Sequence, residues 1–388
     1  MTTTTEARAV RLVGHSDLNG WGDAFQVTVR DGIAYVAASG DSGHEGTTIL
    51  DVHDSSQPRV IAQMPAPEGT HSHKTQLLDR YLIVNHEQRR DYTGDAFRPG
   101  IRIVDISDPA SPRDAAFFPT AGRGVHRPVV DPVRRRAYLS TRDDEAQGQL
   151  LWIVDLADPL RPSLLGRWWH PGQAPDAPPE AGNGLGRTLH EARPNGDRLY
   201  LCYLDGGLAV LDISDPSQPR LTGMHTVSAA FAPHHHTPWP LPDRDLLLVT
   251  HETVRPQCAE PPAFLWIYDI SDPDRPTPIS TYMPVPIDPI TKQPTTGDFC
   301  ARGGRYGAHN LWADGGDLVY VAWFNAGLRI VDIADPHHPV EAGFYVPPAP
   351  AGRPAAQSND VFVDERGLIY LTDRWGGGLD ILEFEGSR

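Results

Sequence analysis

The sequence predicts an all-β protein, a seven-bladed β-propeller with four antiparallel strands in each blade. A nine-residue phrase recurs along the chain, as in Ile101 to Pro109 and Leu208 to Pro216, and repetition at about 50 residues is typical of propeller blades. Glycine (36 residues) and proline (38 residues) supply the turns that many short strands need. Helical periodicity is absent from the sequence.

The phrase has seven copies, of which the first and last are degenerate. Their shared acidic position is occupied by Asp51, Asp105, Asp155, Asp212, Asp269, Asp332 and Glu383. Successive acids lie 50 to 63 residues apart, so each copy has room for one four-stranded blade.

The sixth copy shows how one blade divides into strands. The expected strands, from the innermost outwards, are His309–Ala313, Leu318–Ala322, Leu328–Ile333 and Val340–Tyr345. The Asp-Pro-x-x-Pro segment before the last strand predicts a turn in which the aspartate accepts hydrogen bonds from its own backbone.

The seventh copy ends before a fourth strand. Ala9–Gly14, near the other end of the chain, has the pattern of a fourth strand but belongs to no copy of the repeat. We predict that this segment completes the last blade, formed by about residues 359–384 with residues 7–15. The pairing would close the ring and remove an exposed sheet edge. Residues 1–388 are then expected to form a single domain.

The recurring phrase, with its Asp-Pro turn, resembles the LVIVD-repeat family of bacterial seven-bladed β-propellers, and the resemblance covers essentially the whole chain. It implies the fold and little about the chemistry, because a scaffold motif serves many functions.

The residue that begins the innermost strand is a histidine in five consecutive copies. The position is occupied by Phe25, His73, His126, His190, His236, His309 and Asn359. Innermost strands line the axis of a propeller, so these imidazoles are expected at one height, and neutral imidazole suits iron, copper, zinc and manganese. We predict a metal centre with ligands His73, His126, His190, His236 and His309. The alternative is a structural histidine that bonds the backbone of the next blade.

Acidic and histidine side chains flank this position and are expected to support the ligands, because a metal-bound histidine usually donates its second N–H to a carboxylate. The supporting residues predicted are Glu87, Glu191, Glu252, His86 and His251. His71, His234 and His235 flank this position and are expected at the rim or in support of the ligands, rather than as ligands. His236, His73 and Glu252 are the candidate catalytic residues.

A substrate pocket is predicted on the same face, where long, irregular connections meet aromatic and basic side chains. Its candidate residues are Tyr203, Trp239, Trp323, Phe324 and Arg305, which suit an aromatic or anionic organic molecule.

These features predict a metal-dependent oxidoreductase or oxygenase acting on a small organic substrate, with Fe(II) favoured and then copper, zinc or manganese. In architecture the ring is similar to the ferrous centre of carotenoid-cleaving oxygenases and to the selenium-binding proteins, although neither family's sequence signature is present. A metal-assisted hydrolase, lyase or isomerase is the first alternative. A non-catalytic interaction scaffold is the second.

Charge and composition exclude several classes of partner. The formal net charge of −16 argues against nucleic acid and anionic membranes, and no apolar run reaches the ~20 residues of a membrane span. Met1 to Glu6 does not read as a secretion signal. Three cysteines at unrelated spacings predict no disulfide framework, so we expect a reduced, cytoplasmic protein. The sequence does not indicate an oligomeric state.

Overall fold

The computed structural model describes residues 6–40, 43–177, 185–226, 234–284 and 299–386. Regular structure in these ranges is almost entirely β. The helical segments among them are single 3₁₀ turns at Leu18–Gly20, Pro171–Gln173 and Pro242–Arg244. None of the described helices has the length and apolar character needed to cross a bilayer.

The strands are short, and most contain five to seven residues. In the first half of the chain they are β1 (Glu6–Arg8), β2 (Val10–Ser16), β3 (Ala24–Arg30), β4 (Ile33–Ser39), β5 (Glu45–Asp51), β6 (Arg59–Pro65), β7 (Thr70–His71), β8 (Thr75–Leu78), β9 (Tyr81–Gln88), β10 (Gly100–Asp105), β11 (Arg113–Pro119), β12 (Ala121–Asp131), β13 (Arg136–Arg142), β14 (Leu150–Asp155) and β15 (Ser163–Trp168). In the second half they are β16 (Arg187–Asn195), β17 (Arg198–Leu204), β18 (Leu208–Asp212), β19 (Arg220–His225), β20 (His235–Leu241), β21 (Leu246–His251), β22 (Leu265–Asp269), β23 (Thr277–Tyr282), β24 (Leu311–Ala313), β25 (Leu318–Ala322), β26 (Leu328–Asp332), β27 (Val340–Val346), β28 (Ser358–Val363), β29 (Leu368–Asp373) and β30 (Gly378–Phe384).

Each copy of the phrase builds one antiparallel unit, and consecutive strands of a unit pair with each other. The units are β3–β6, β8–β11, β12–β15, β16–β19, β20–β23, β24–β27 and β28–β30. The strand bounds predicted for the sixth copy are confirmed to within two residues by β24–β27. The protein is thus an all-β chain of curled, repeated sheets.

The turn after the third strand has the chemistry that the phrase predicts in the second and fourth units. The Asp108 carboxylate accepts a hydrogen bond from the Ala110 N–H at 3.1 Å, and the Asp215 carboxylate accepts one from the Ser217 N–H at 2.9 Å. The same geometry recurs because the same residues recur.

The apolar core lies between neighbouring units rather than within one. Ile330 of β26 and Leu382 of β30 belong to one buried cluster, and Val210 of β18 and Leu247 of β21 belong to another. Because each unit needs its neighbour to bury its faces, the units form a continuous structure.

The amino-terminal segment pairs with two different units. Strand β2 pairs antiparallel with β30, from Val10 opposite Phe384 to Ser16 opposite Leu379. Residues 7 and 8, expected beside β30, instead lie in β1, which pairs with β27 of the preceding unit. Ala9 has a positive φ of 54° and turns the chain between the two sheets.

The first and last units also contact each other directly near their innermost strands. The Asn359 side-chain N–H donates to the Phe25 carbonyl at 2.5 Å, and the Val27 N–H donates to the Asp360 carboxylate at 3.1 Å. These bonds join β28 to β3.

Cys258 and Cys300 form a disulfide, so the expectation of unpaired cysteines is wrong. Spacing alone does not reveal this bridge, because the two residues lie on separate loops 42 positions apart. Cys202 is free and buried. Disulfides are typical of oxidising compartments, so the bridge weighs against the predicted cytoplasmic location.

Candidate metal centre

The histidines that begin the innermost strands lie next to one another in the order of the units. This axial ring consists of Phe25, His73, His126, His190, His236, His309 and Asn359. The ring centroids are 5.1 Å apart for Phe25–His73, 4.9 Å for His73–His126, 5.0 Å for His126–His190, 3.6 Å for His190–His236 and 4.3 Å for His236–His309. Aligning the repeats therefore places these side chains correctly with respect to their neighbours.

Backbone bonds between units set the tautomer of two ring histidines. The Nδ1–H of His190 donates to the His236 carbonyl at 2.9 Å, and that of His309 donates to the Asn359 carbonyl at 2.5 Å. A carbonyl only accepts, so Nδ1 carries the proton and Nε2 keeps its lone pair. These bonds serve the structural role considered above, and they also leave Nε2 in the form that binds metals.

Burial keeps most of the ring histidines neutral. Loss of hydration is the main cause, and it holds the pKa well below its usual value for His73, His190, His236 and His309. Neutral imidazole is the ligand form, so these residues need not lose a proton to bind an ion at pH 7.

One carboxylate reaches two ring histidines. Oε2 of Glu252 lies 3.7 Å from Nε2 of His236, and Oε1 lies 3.7 Å from Nε2 of His309. The ligand atoms of this Glu252 triad (His236, Glu252 and His309) all lie within 4.8 Å of one another. Glu252 is therefore placed as a third candidate ligand, and not only as a residue that supports His236 and His309.

An arginine and a phenylalanine complete the surroundings of the Glu252 triad. A guanidinium N–H of Arg305 donates to Oε1 of Glu252 at 2.9 Å. The Phe324 ring centroid lies 4.7 Å from that of His309, and the Arg305 guanidinium carbon lies 5.5 Å from the Phe324 centroid. The arginine fixes the carboxylate, and the phenylalanine shields one side of His309.

A second group of candidate ligands lies elsewhere on the ring. The ligand atoms of this Glu87 triad (His71, His73 and Glu87) also lie within 4.8 Å of one another. His126 and His190 belong to neither triad. Of the five histidines predicted as ligands, His73 thus belongs to the Glu87 triad, and His236 and His309 belong to the Glu252 triad.

The other predicted supporting residues contact different partners. Glu191 is fully buried and pairs with Arg127 and Arg193, each at 2.7 Å, rather than with a ring histidine. His86 packs on Phe117, with ring centroids 5.3 Å apart, and His251 contacts His235 and Trp266. Glu87 does bond a ring histidine, because its carboxylate lies 2.8 Å from Nδ1 of His126.

Two of the five predicted pocket residues, Phe324 and Arg305, adjoin the Glu252 triad. Tyr203 is fully buried against Trp168 and His170. Trp323 is fully buried against Tyr282 and Tyr306, and the Trp239 N–H donates to the Ala313 carbonyl. Tyr203, Trp323 and Trp239 therefore contribute to packing between units.

A layer of buried polar side chains, which the sequence reasoning missed, follows the axial ring. Its members occupy the next position of each innermost strand: Gln26, Lys74, Arg127, Glu191, Thr237, Asn310 and Asp360, all of them buried. Lys74 and Arg127 balance Glu191 and Asp360 in formal charge. The sequence does indicate this layer, because the position is polar in every copy of the repeat.

We expect replacement of Glu191 by glutamine to lower the free energy of unfolding by about 3–5 kcal/mol. The substitution removes the carboxylate that pairs with both Arg127 and Arg193, and it leaves the buried Arg127 guanidinium and the partly buried Arg193 guanidinium without this partner. Urea unfolding measures the effect. The control is Glu145→Gln, whose exposed pair with Arg167 contributes about 0–1 kcal/mol. Equal losses in the two variants would contradict the prediction.

Comparison with known proteins agrees with the repeat and the fold. Residues 95–115, 195–227 and 307–346, which hold the second, fourth and sixth copies of the phrase, match the family model described as LVIVD repeat. No curated protein matches the chain.

Solved structures resemble the chain in fold at low sequence identity. One is a protein from Lactobacillus plantarum, with 13% identity, a TM-score of 0.57, and coverage of 95% of this chain and 89% of that one. Another is the Myceliophteria thermophila Cps50 (Swd1) β-propeller domain, with 14% identity, a TM-score of 0.55 and 99% coverage of both chains. A third is the computationally designed Ika8 protein, with 7% identity, a TM-score of 0.54, and coverage of 95% and 97%. The chain therefore contains LVIVD repeats, and its fold is similar to that of β-propellers.

Proposed function

We propose that this protein is a metal-dependent oxidoreductase whose ion is bound by His236, His309 and Glu252. The observation that carries the proposal is the convergence of two neutral imidazoles and one carboxylate within 4.8 Å. Two histidines and one carboxylate form the ligand set of non-haem Fe(II) oxygenases, in which the remaining coordination positions accept O₂ and substrate. Fe(II) is accordingly the first candidate, ahead of copper, zinc and manganese.

The charges around the Glu252 triad favour a divalent ion over a structural role alone. Glu252 has a counter-ion in Arg305, so the carboxylate by itself does not require a metal. Without one, however, two neutral histidines present Nε2 towards the same carboxylate at 3.7 Å, which is too long for a hydrogen bond. An ion placed between the three groups would satisfy all of them.

We infer that the units form a closed, seven-bladed ring in one domain. The pairing of β2 with β30 and the bonds from β28 to β3 support closure. A closed ring would hold the Glu252 triad at the axis, and its substrate would be a small organic molecule near Phe324 and Arg305. Nothing in this arrangement calls for nucleic acid or a membrane as partner.

Metal-assisted hydrolysis is the second candidate function. Two histidines and a glutamate also form a catalytic zinc set, in which a bound water becomes the nucleophile. The same three residues would hold the zinc ion.

Metal analysis of protein purified without oxygen tests these alternatives. We expect the His236→Ala/His309→Ala variant to contain about one equivalent of iron less than the wild-type protein, and we expect the reduced wild-type protein to consume O₂ in the presence of a substrate. Zinc or manganese with O₂-independent turnover would favour hydrolase, lyase or isomerase chemistry instead. A protein that binds none of these metals when they are supplied would contradict the proposal and leave a histidine-lined scaffold.

A further inference from the structure

We propose that His71, His73 and Glu87 bind a second divalent transition-metal ion, independently of the Glu252 triad. The two triads share no residue, and the ligand atoms of His71, His73 and Glu87 all lie within 4.8 Å of one another. Two imidazoles and a carboxylate suit Fe(II), Co(II) or Zn(II).

The state of His73 is the first observation that points to a ligand. Its side chain is fully buried, and its Nε2 atom has no hydrogen-bond partner among the described residues. A buried polar atom without a partner costs free energy. A metal ion bound by this imidazole would remove that cost.

The packing of the histidines is the second observation. The rings of His71 and His73 are stacked, with centroids 3.9 Å apart, and that of His126 lies 4.9 Å from His73. Imidazole nitrogens held this close can bind the same cation.

The carboxylates are arranged as they are around bound metals. Glu45 lies 3.0 Å from Nδ1 of His71, so it can fix this ring with Nε2 left for the ion. The Glu87 carboxylate lies 2.8 Å from Nδ1 of His126. This contact orients the carboxylate, which is a ligand type that divalent ions accept.

A cavity lies next to residues that neighbour His71. It has a volume of about 460 Å³ and is lined by Glu45, Thr70, Trp21, Arg89 and Tyr92, among others. Thr70 and Glu45 connect it to His71, which follows Thr70 in the chain and bonds Glu45. The His71 side chain is partly exposed, so an ion need not cross the core to reach it.

Titration of the metal-depleted full-length protein with Co(II) tests the proposal, because bound Co(II) has visible absorption bands. We expect two equivalents to bind to the wild-type protein. His71→Ala and the nearly isosteric Glu87→Gln should each bind one, with at least about a tenfold loss of affinity at the altered site. Glu252→Ala should also bind one, and the His71→Ala/Glu252→Ala variant none.

The variants separate this proposal from the proposed function. If Glu252→Ala binds as much Co(II) as the wild type, and His71→Ala removes one equivalent, the second site stands without the first. If His71→Ala and Glu87→Gln both bind as much as the wild type, the second site is overturned. His338→Ala, on an exposed histidine paired with Asp335, is the matched control and should bind two equivalents. Far-UV circular dichroism establishes that each variant is folded.

Discussion

Replacing Glu252 by alanine is expected to lower the Fe(II) affinity of the proposed centre by at least about 100-fold. Loss of a residue that merely supports a ligand typically costs 10–100-fold, and a ligand should cost more. The substitution also leaves the Arg305 guanidinium, now without its 2.9 Å partner, beside the cation. Like charges repel strongly where water is scarce. Competition with a coloured Fe(II) chelator measures the affinity.

Two further variants serve as comparisons for the Glu252→Ala result. Arg305→Ala should weaken binding by only about tenfold, because it loosens the carboxylate without removing it. Glu145→Ala removes an exposed carboxylate that is also paired with an arginine, and it should leave the affinity unchanged. If Glu252→Ala and Glu145→Ala bind Fe(II) equally well, Glu252 is not a ligand.

The sequence alone predicts the neighbours in the axial ring, because a repeat converts sequence position into spatial position. His126 and His190 are 64 positions apart in the chain, yet their ring centroids lie 5.0 Å apart. Equivalent positions of successive units lie side by side, so aligning the phrase is enough to bring them together. The same logic confirms the strands of the sixth copy and the pairing of the amino-terminal segment with β30.

Side-chain direction explains part of what the sequence reasoning missed. Successive residues of a strand point to opposite faces, so Glu191 points away from its neighbour His190 and meets Arg127 and Arg193. This alternation could have excluded Glu191 as a partner of the ring histidines. Glu252 follows the last residue of β21, where the chain leaves the sheet and period-two alternation no longer applies.

Aligning the copies of the repeat does not predict the positions of residues that lie outside it. Arg305 lies in the connection before β24, and the sequence does not indicate that it contacts Glu252. The Cys258–Cys300 bridge joins two such connections and escaped prediction for the same reason. His71, which flanks the ring, was expected at the rim or in support of the ligands, yet it belongs to a candidate ligand group.

Deletion of residues 1–16 is expected to destabilise the whole chain by at least about 5 kcal/mol. The truncation removes the ladder between β2 and β30 and that between β1 and β27, and a net contribution of about 0.5–1.5 kcal/mol per hydrogen bond accumulates over both. It also exposes part of the apolar cluster that contains Val10 and Phe384. The unpaired edge of β30 would then be free to pair with other molecules, so aggregation should accompany the loss of stability.

Single substitutions in β2 distinguish closure of the ring from a local effect. Val10 is buried whereas Leu12 is 46% exposed, so Val10→Ala should lower the free energy of unfolding by about 1–3 kcal/mol and Leu12→Ala by no more than about 0.5 kcal/mol. Urea unfolding followed by both circular dichroism and tryptophan fluorescence should give one coincident transition, because the units share their cores. A peptide of residues 6–16 added to the truncated chain should restore part of the stability. A truncated chain that unfolds at the same urea concentration as the full-length protein would show that this pairing does not stabilise the ring.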